Sequence, residues 1–429
     1  MKEQIIKKLD LKNRKKRFQK KFKKRKIGKD IVKSKFESTE VVILLILTML
    51  ISVFVTSAVN LGINRGKNDI SKSEALQSEE LKNFLNNYNF IVENYFGEID
   101  EAELLNNATK AILEALGDPF SNMIDGPSTS DVYLEGQFRG LGVEIINERE
   151  TNNIIIIRVF PNSPADAAGL KAGDTLKSIN NVNLEGKETQ KLSEYVADND
   201  GPFSVKVIRE GEELEFEIQK GLVIIPSVNF EIINKNDQRL GYIGIDIFSE
   251  TTLEQFEEKI QLAETENVDG LIIDLRGNSG GHLSVVYKMT SLLLEEGMVV
   301  YKTDDGNDVE EFKATGGQRR DFDIVFLSNG RSASASELMM AALRDNLGAK
   351  IIGETTYGKG TVQQIRESSS GSSYSITIKR WLTPNGDWVE DGEGGLVPDL
   401  EIELDGRFYE TRSRDDDNQL KIAIDNLIN

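Results

Sequence analysis

The sequence predicts a multidomain α/β plus β architecture: an N-terminal transmembrane helix, a helical segment, a small β-rich domain and an α/β core. Three observations carry this prediction. The uncharged run Val41–Val59 follows a dense basic segment. Short strands punctuated by Gly, Pro and Asn fill the middle of the chain, and from Leu222 onward apolar strand patterns alternate with helical ones. A chain of 429 residues also exceeds what one hydrophobic core usually holds.

The apolar run, VVILLILTMLISVFVTSAV, approaches the ~20 residues a helix needs to cross ~30 Å of hydrocarbon. It is longer than the ~7 to 15 residues of a signal-peptide core, although Thr56-Ser57-Ala58 offers small residues for cleavage. Residues 1–40 hold 17 Lys and Arg against 5 Asp and Glu, leaving 35 basic and 66 acidic residues beyond them in a chain of net charge −19. The positive-inside rule keeps such a tail in the cytoplasm and sends the remainder across, so the expectation is a single-pass protein of the cell membrane with an extracytoplasmic body. A nucleic-acid-binding arm is the competing reading of the basic run. The acidic body disfavours nucleic acid as a partner, because phosphate binding needs clustered Lys and Arg on the folded surface.

The residues missing from the chain restrict its chemistry. There is no cysteine, which excludes disulfides, thiolate metal sites and a cysteine nucleophile. The one histidine, His282, cannot build a site with two histidine ligands.

After the basic tail (1–40) and the apolar helix (41–59), residues 60–73 are polar and read as a linker. From 74 to 128, Leu81, Phe84, Leu85, Tyr88, Ile91 and Val92, then Leu104, Leu105, Ala108, Ile112 and Leu116, recur at three- and four-residue spacing, predicting amphipathic helices that stop at Gly117-Asp118-Pro119. Residues 129–221 read as the β-rich domain, with Ile154–Ile157, Val205–Ile208 and Leu214–Ile218 its clearest strands. Residues 222–408 form the α/β core and 409–429 a closing helix, with the acidic run Asp415-Asp416-Asp417 expected as its solvated start.

Three glycine- or serine-rich stretches interrupt the core pattern. Asp274-Leu275-Arg276-Gly277-Asn278-Ser279-Gly280-Gly281 ends a buried strand, where glycines let backbone amides face a ligand. Ser328-Asn329-Gly330-Arg331-Ser332-Ala333-Ser334-Ala335-Ser336-Glu337 joins the strand Ile324–Leu327 to a helical run. A serine there stands near helix N–H groups, but Ser334 and Glu337 also fit a capping box. Local pattern leaves open which of Ser332, Ser334 and Ser336 reacts. Thr356-Tyr357-Gly358-Lys359-Gly360-Thr361-Val362-Gln363 puts a lysine between glycines, where backbone packs close and an ammonium denied solvent loses its proton more easily. A phosphate-binding lysine is the rival, weakened by the absence of G-x-x-x-x-G-K-[ST]. His282, directly after the glycine turn, is a rival base for which sequence supplies no orienting carboxylate.

Two places in the β-rich region resemble a PDZ domain: Phe138-Arg139-Gly140-Leu141-Gly142-Val143-Glu144-Ile145, and Ser163-Pro164-Ala165 followed by Ala168-Gly169-Leu170-Lys171-Ala172-Gly173-Asp174-Thr175-Leu176. A Gly-X-Gly turn before a strand exposes N–H groups to a terminal carboxylate, and the strand edge accepts an extended peptide, so Gly140, Leu141, Gly142 and Val143 are the candidate tail-binding residues. Together with the three core stretches, Leu116-Gly117-Asp118-Pro119-Phe120-Ser121, Leu382-Thr383-Pro384-Asn385-Gly386 and Gly395-Leu396-Val397-Pro398-Asp399, this text resembles the carboxyl-terminal processing (tail-specific) protease family of serine peptidases.

The resemblance implies a serine endopeptidase that cleaves the C-terminal regions of extracytoplasmic proteins. Ser334 would be its nucleophile, Lys359 its general base and Gln363 the residue that positions the lysine. The backbone N–H of Ala335 and one from Gly280 or Gly281 would form the oxyanion hole. It implies no metal or cofactor, a PDZ domain that docks substrate tails and gates the site, and helical ends that help form a homodimer. The alternative is a catalytically inactive, membrane-tethered PDZ scaffold that only binds peptides.

Overall fold

Capping chemistry opens both N-terminal helices of the structure, a computed structural model that describes residues 78–124, 129–316, 322–367, 372–392 and 394–428. The expected basic tail, the apolar run Val41–Val59 and the linker lie outside the described residues; among those described, no helix is long and apolar enough to cross a membrane. The chain divides into two units at Ile99 and Asp100. In the first, Ser78 Oγ accepts the Leu81 N–H at 3.1 Å ahead of helix Glu79–Asn94, which buries none of its residues. In the second, Asp100 Oδ1 accepts the N–H groups of Ala102 and Glu103 to start helix Glu101–Ala115.

A small domain follows, built on an antiparallel sheet in the order Val143–Asn147, Ile154–Val159, Thr175–Ile179, Phe203–Arg209, Glu212–Ile218. The period of two decides what each isoleucine does: Ile154 and Ile156 are fully buried, whereas Ile157 is exposed. They pack with Leu141, Leu170, Leu176, Leu192, Phe203 and Val205. Arg209 grips both oxygens of the buried Asp174 at 2.6 and 2.7 Å and donates to the Gly169 carbonyl, tying the Ala168–Asp174 turn to the sheet. The chain enters and leaves this domain through a two-stranded ribbon, Gln137–Gly140 paired with Gly221–Ile224.

The core is a six-stranded sheet in the order Val228–Lys235, Gln238–Ile245, Gly270–Asp274, Asp323–Ser328, Lys350–Gly353, Leu400–Glu401. Its first pair is antiparallel and the rest are parallel. Both faces are covered, as parallel sheets require. Ile243, Ile273 and Phe326 face the helices Thr252–Thr265, Leu283–Leu293 and Ala335–Leu347, while Ile272, Val325 and Ile352 face helix Asn418–Ile428.

The expected 222–408 core does not all lie in this sheet. Thr361–Glu367, Ser373–Leu382, Val299–Asp304 and Val309–Lys313 form a second, antiparallel sheet, which also recruits Asn122–Ile124 from ahead of the β-rich domain. The acidic run Asp415-Asp416-Asp417 is not solvated throughout. Asp417 is not solvated but buried, because its carboxylate receives the Arg276 guanidinium at 2.8 and 3.1 Å and the Leu420 N–H at 2.9 Å.

Candidate active site

Strand order brings the three interrupting stretches together. Gly270–Asp274, Asp323–Ser328 and Lys350–Gly353 are parallel neighbours, with Asp274 opposite Leu327 and Ser328 opposite Gly353. Their following turns therefore emerge side by side at the carboxyl ends of the strands, where open α/β sheets gather their ligands.

Hydrogen bonding separates the three serines. Ser332 and Ser336 are fully buried and donate their hydroxyls to the carbonyls of Leu275 and Asn278 at 2.8 and 2.9 Å, so both serve to tie the serine turn to the glycine turn. Ser334 lines a cavity of about 520 Å³ instead. Its backbone sits at φ 55°, ψ −112°, a conformation L-residues rarely adopt, immediately before the first residue of helix Ala335–Leu347.

Lys359, Gln363, Gly281, Ala335 and His282 line the same cavity. The two glycines differ in role. Gly280 donates its N–H to Asn278 Oδ1 at 2.8 Å, and a Cβ on it would lie 3.0 Å from Ser334 Cβ, so it is the close-packed contact with the serine turn. The N–H of Gly281 has no acceptor among the described residues, and that of Ala335, first in its helix, has no intrahelical one.

Lys359 Nζ lies 4.8 Å from the centroid of the Phe120 ring. Burial moves its amine below the ordinary lysine range, against the opposing pull of Asp118, Glu390 and Glu337. Gln363 Nε2 donates to the hydroxyls of Thr361 and Thr377 at 2.7 and 3.3 Å, which fixes its amide on the second sheet beside the lysine turn. His282 Nε2 faces the Leu134 carbonyl at 3.1 Å; a carbonyl only accepts, so that nitrogen carries a proton.

Sequence reasoning weighed Glu337 only as a helix cap. It is fully buried, and its Oε2 accepts the N–H groups of Ser334 (2.6 Å) and Lys359 (2.9 Å) while Oε1 accepts from the Gly358 N–H (2.6 Å) and the Thr356 hydroxyl (2.5 Å). Burial raises its carboxyl above the ordinary range, against these four donors. A charged residue leading into the apolar run Leu338–Leu343 was the one available signal. Among the described residues, no group of three or more His, Asp or Glu gathers where a metal ion could sit.

The small domain has a cavity of about 380 Å³ lined by Phe138, Leu141, Val143, Leu176, Leu192 and Val196, with Arg139, Gly140 and Gly142 at its wall. Val143–Asn147 is the edge strand of its sheet, so one side carries no strand neighbour among the described residues. Helix Thr189–Asp198 forms the opposite wall, its end held by Lys220, whose buried Nζ donates to the carbonyls of Val196, Ala197 and Asn199 at 2.8 to 3.0 Å.

Residues 239–402 match the peptidase family S41 model, 155–209 a PDZ domain and 52–127 the "activating protease CtpB N-terminal domain". The chain is 31% identical over 327 residues to the carboxy-terminal processing protease CtpB of Bacillus subtilis, covering 75% of this chain and 67% of that protein. It is 29% identical over 354 residues to the carboxy-terminal processing protease CtpA of the same organism, covering 81% and 74%. A solved photosystem II D1 C-terminal processing protease is 23% identical, with a TM-score of 0.44, covering 74% of this chain and 86% of the other.

Proposed function

We propose, from the premise that this chain belongs to peptidase family S41, the carboxy-terminal processing serine proteases with a PDZ domain, that it is a membrane-anchored endopeptidase working through a Ser334–Lys359 dyad. The observation that carries the reading is the shared cavity: Ser334, strained at a helix mouth, and Lys359, its amine desolvated, line one space together with Gly281 and Ala335, whose N–H groups are candidate donors.

In this mechanism the neutral amine of Lys359 takes the proton of Ser334 Oγ as that oxygen attacks a peptide carbonyl. The N–H groups of Ala335 and Gly281 receive the oxyanion, a contribution of about 3 to 4 kcal/mol per donor. Lysine returns the proton to the leaving amine, which leaves an acyl-serine, and water cleaves that ester with the lysine again as base. Gln363 holds the strand that follows the lysine turn. A substrate tail would add to the edge strand Val143–Asn147, its carboxylate at the Gly140–Gly142 turn and its last side chain in the apolar cavity. The substrates are then extracytoplasmic proteins with apolar C-terminal tails, reached from a single-pass helix at Val41–Val59.

The test uses the purified full-length chain in detergent and an unfolded protein with an apolar tail. Ser334→Ala and Lys359→Ala should both abolish cutting while retaining native thermal unfolding, and a fluorophosphonate should label Ser334 alone. Cutting by either variant, or labelling of another serine, overturns the reading. His282→Ala should stay active; its inactivity alongside an active Lys359→Ala would transfer the base role to histidine.

A further inference from the structure

We propose that Asp118 and Phe120, ahead of the β-rich domain, are positioning residues for Lys359: their turn seats the lysine amine against an aromatic face over the cavity. This rests on the reading of Lys359 as the general base.

The turn is built to be rigid. Asp118 Oδ1 accepts the Phe120 N–H at 3.0 Å, Oδ2 accepts the Ser121 hydroxyl at 2.5 Å, and the buried Ser121 Oγ in turn accepts the Thr377 N–H at 3.0 Å. Thr377 is the register partner of Gln363, on the strand that starts two residues after Lys359. Directly after the turn, Asn122–Ile124 pairs with Ser373–Ser375. Four hydrogen-bonded elements thus carry Phe120 to a fixed place beside the lysine turn, and its half-buried ring takes the Nζ at 4.8 Å, inside the ~6 Å over which a ring face attracts a cation.

The charges around the amine identify which group matters. Glu337 faces Lys359 from helix Ala335–Leu347, but four donors already engage it. Glu390 accepts the Gly360 N–H at 2.7 Å. His282 lines the cavity from the start of helix Leu283–Leu293, held on the Leu134 carbonyl. Asp118 leads the charges that favour the ammonium, and it belongs to the same turn as the ring. A leucine at 120 would cover the amine equally well without offering a quadrupole, so a role in packing alone and a role in charge can be separated.

Sign follows from the chemistry: removing the carboxylate or the π face makes the ammonium less stable, so more neutral amine exists at a given pH. Full-length Asp118→Asn and Phe120→Leu should show about threefold or greater kcat/KM on the acid limb relative to the parent, with the limb moved to lower pH. Competitive acetylation of Lys359 across pH, followed by mass spectrometry in a Ser334→Ala background, should show the same displacement of midpoint without any turnover. Phe120→Trp, which restores the ring, should return both midpoints to the parent's. Midpoints of Asp118→Asn and Phe120→Leu that coincide with the parent's overturn the proposal while an inactive Lys359→Ala leaves the base reading intact. A cutting Lys359→Ala overturns both.

Discussion

The backbone N–H groups of Ser334 and Lys359, 25 positions apart, share a single acceptor, Oε2 of Glu337. That oxygen fixes the spacing of the serine and lysine turns more directly than any contact between the two side chains. Replacing Glu337 by Ala leaves four donors in a dry interior without a partner, each worth about 1 to 3 kcal/mol. Because neighbours relax and water enters, a net loss of about 3 to 5 kcal/mol is expected in denaturant unfolding. Glu337→Gln keeps the volume but offers an NH₂ where acceptors are required; it should lose at least about 100-fold in kcat with KM changed far less.

The pH dependence has a definite sign. With Lys359 as the proposed base, only its neutral amine accepts the serine proton, so kcat/KM should rise with pH as that amine loses its proton. Burial brings this below the ~10.4 of a free lysine. A stopped assay across pH should give a single ascending limb unaffected by chelators, and Lys359→Arg, which stays charged, should be inactive throughout. A chelator-sensitive rate restored by a divalent metal would point to different chemistry.

In the small domain, Lys220 caps the C-terminal end of helix Thr189–Asp198, where a cation also complements the helix dipole. Val196 and Ala197, two of its three carbonyl partners, line the apolar cavity. Lys220→Met preserves the stem but removes three charge-assisted bonds, so the cavity wall should loosen. Fluorescence polarisation with an apolar-tailed peptide should show affinity lower by about tenfold. Equal affinity would mean that the helix end is held by packing alone.

How legible these sites were in sequence depended on whether their geometry is local. Ile154–Ile157, the buried strand leading into Asp274 and a closing helix within 409–429 declared themselves because period and turn residues are properties of a short window. The three core turns could be found one by one, but their meeting depends on strand order, which no window contains. Ser332, Ser334 and Ser336 are chemically identical in sequence and differ in tertiary setting: two hydroxyls reach the carbonyls of Leu275 and Asn278, whereas Ser334 has a strained backbone and lines the cavity. The second sheet was missed because Asn122–Ile124 pairs with Ser373–Ser375 across the whole β-rich domain. Glu337, Phe120 and Asp417 were each visible in a local motif, but their partners were not, because each meets a residue from another element.

Asp417 is the clearest of these, because its partner lies 141 positions away in the chain. Arg276 directly precedes Gly277, whose N–H reaches Asn329 of the serine turn at 2.9 Å, so the guanidinium anchors the start of the glycine turn. It is held on one side by Asp274 and on the other by Asp417 and Gln419, with only 11% of its side chain exposed. Breaking a buried pair from one side leaves a charge short of compensation, and with Asp274 still present Asp417→Ala should destabilise by about 3 kcal/mol. If the clamp also positions the turn, kcat should fall several-fold at temperatures where the variant is fully folded, while KM and tail-peptide affinity stay near the parent's. A double-mutant cycle with Arg276→Met should give a coupling above about 1 kcal/mol in unfolding and the same non-additivity in kcat. Additive losses would show that the C-terminal helix contributes stability alone and that the glycine turn keeps its shape without it.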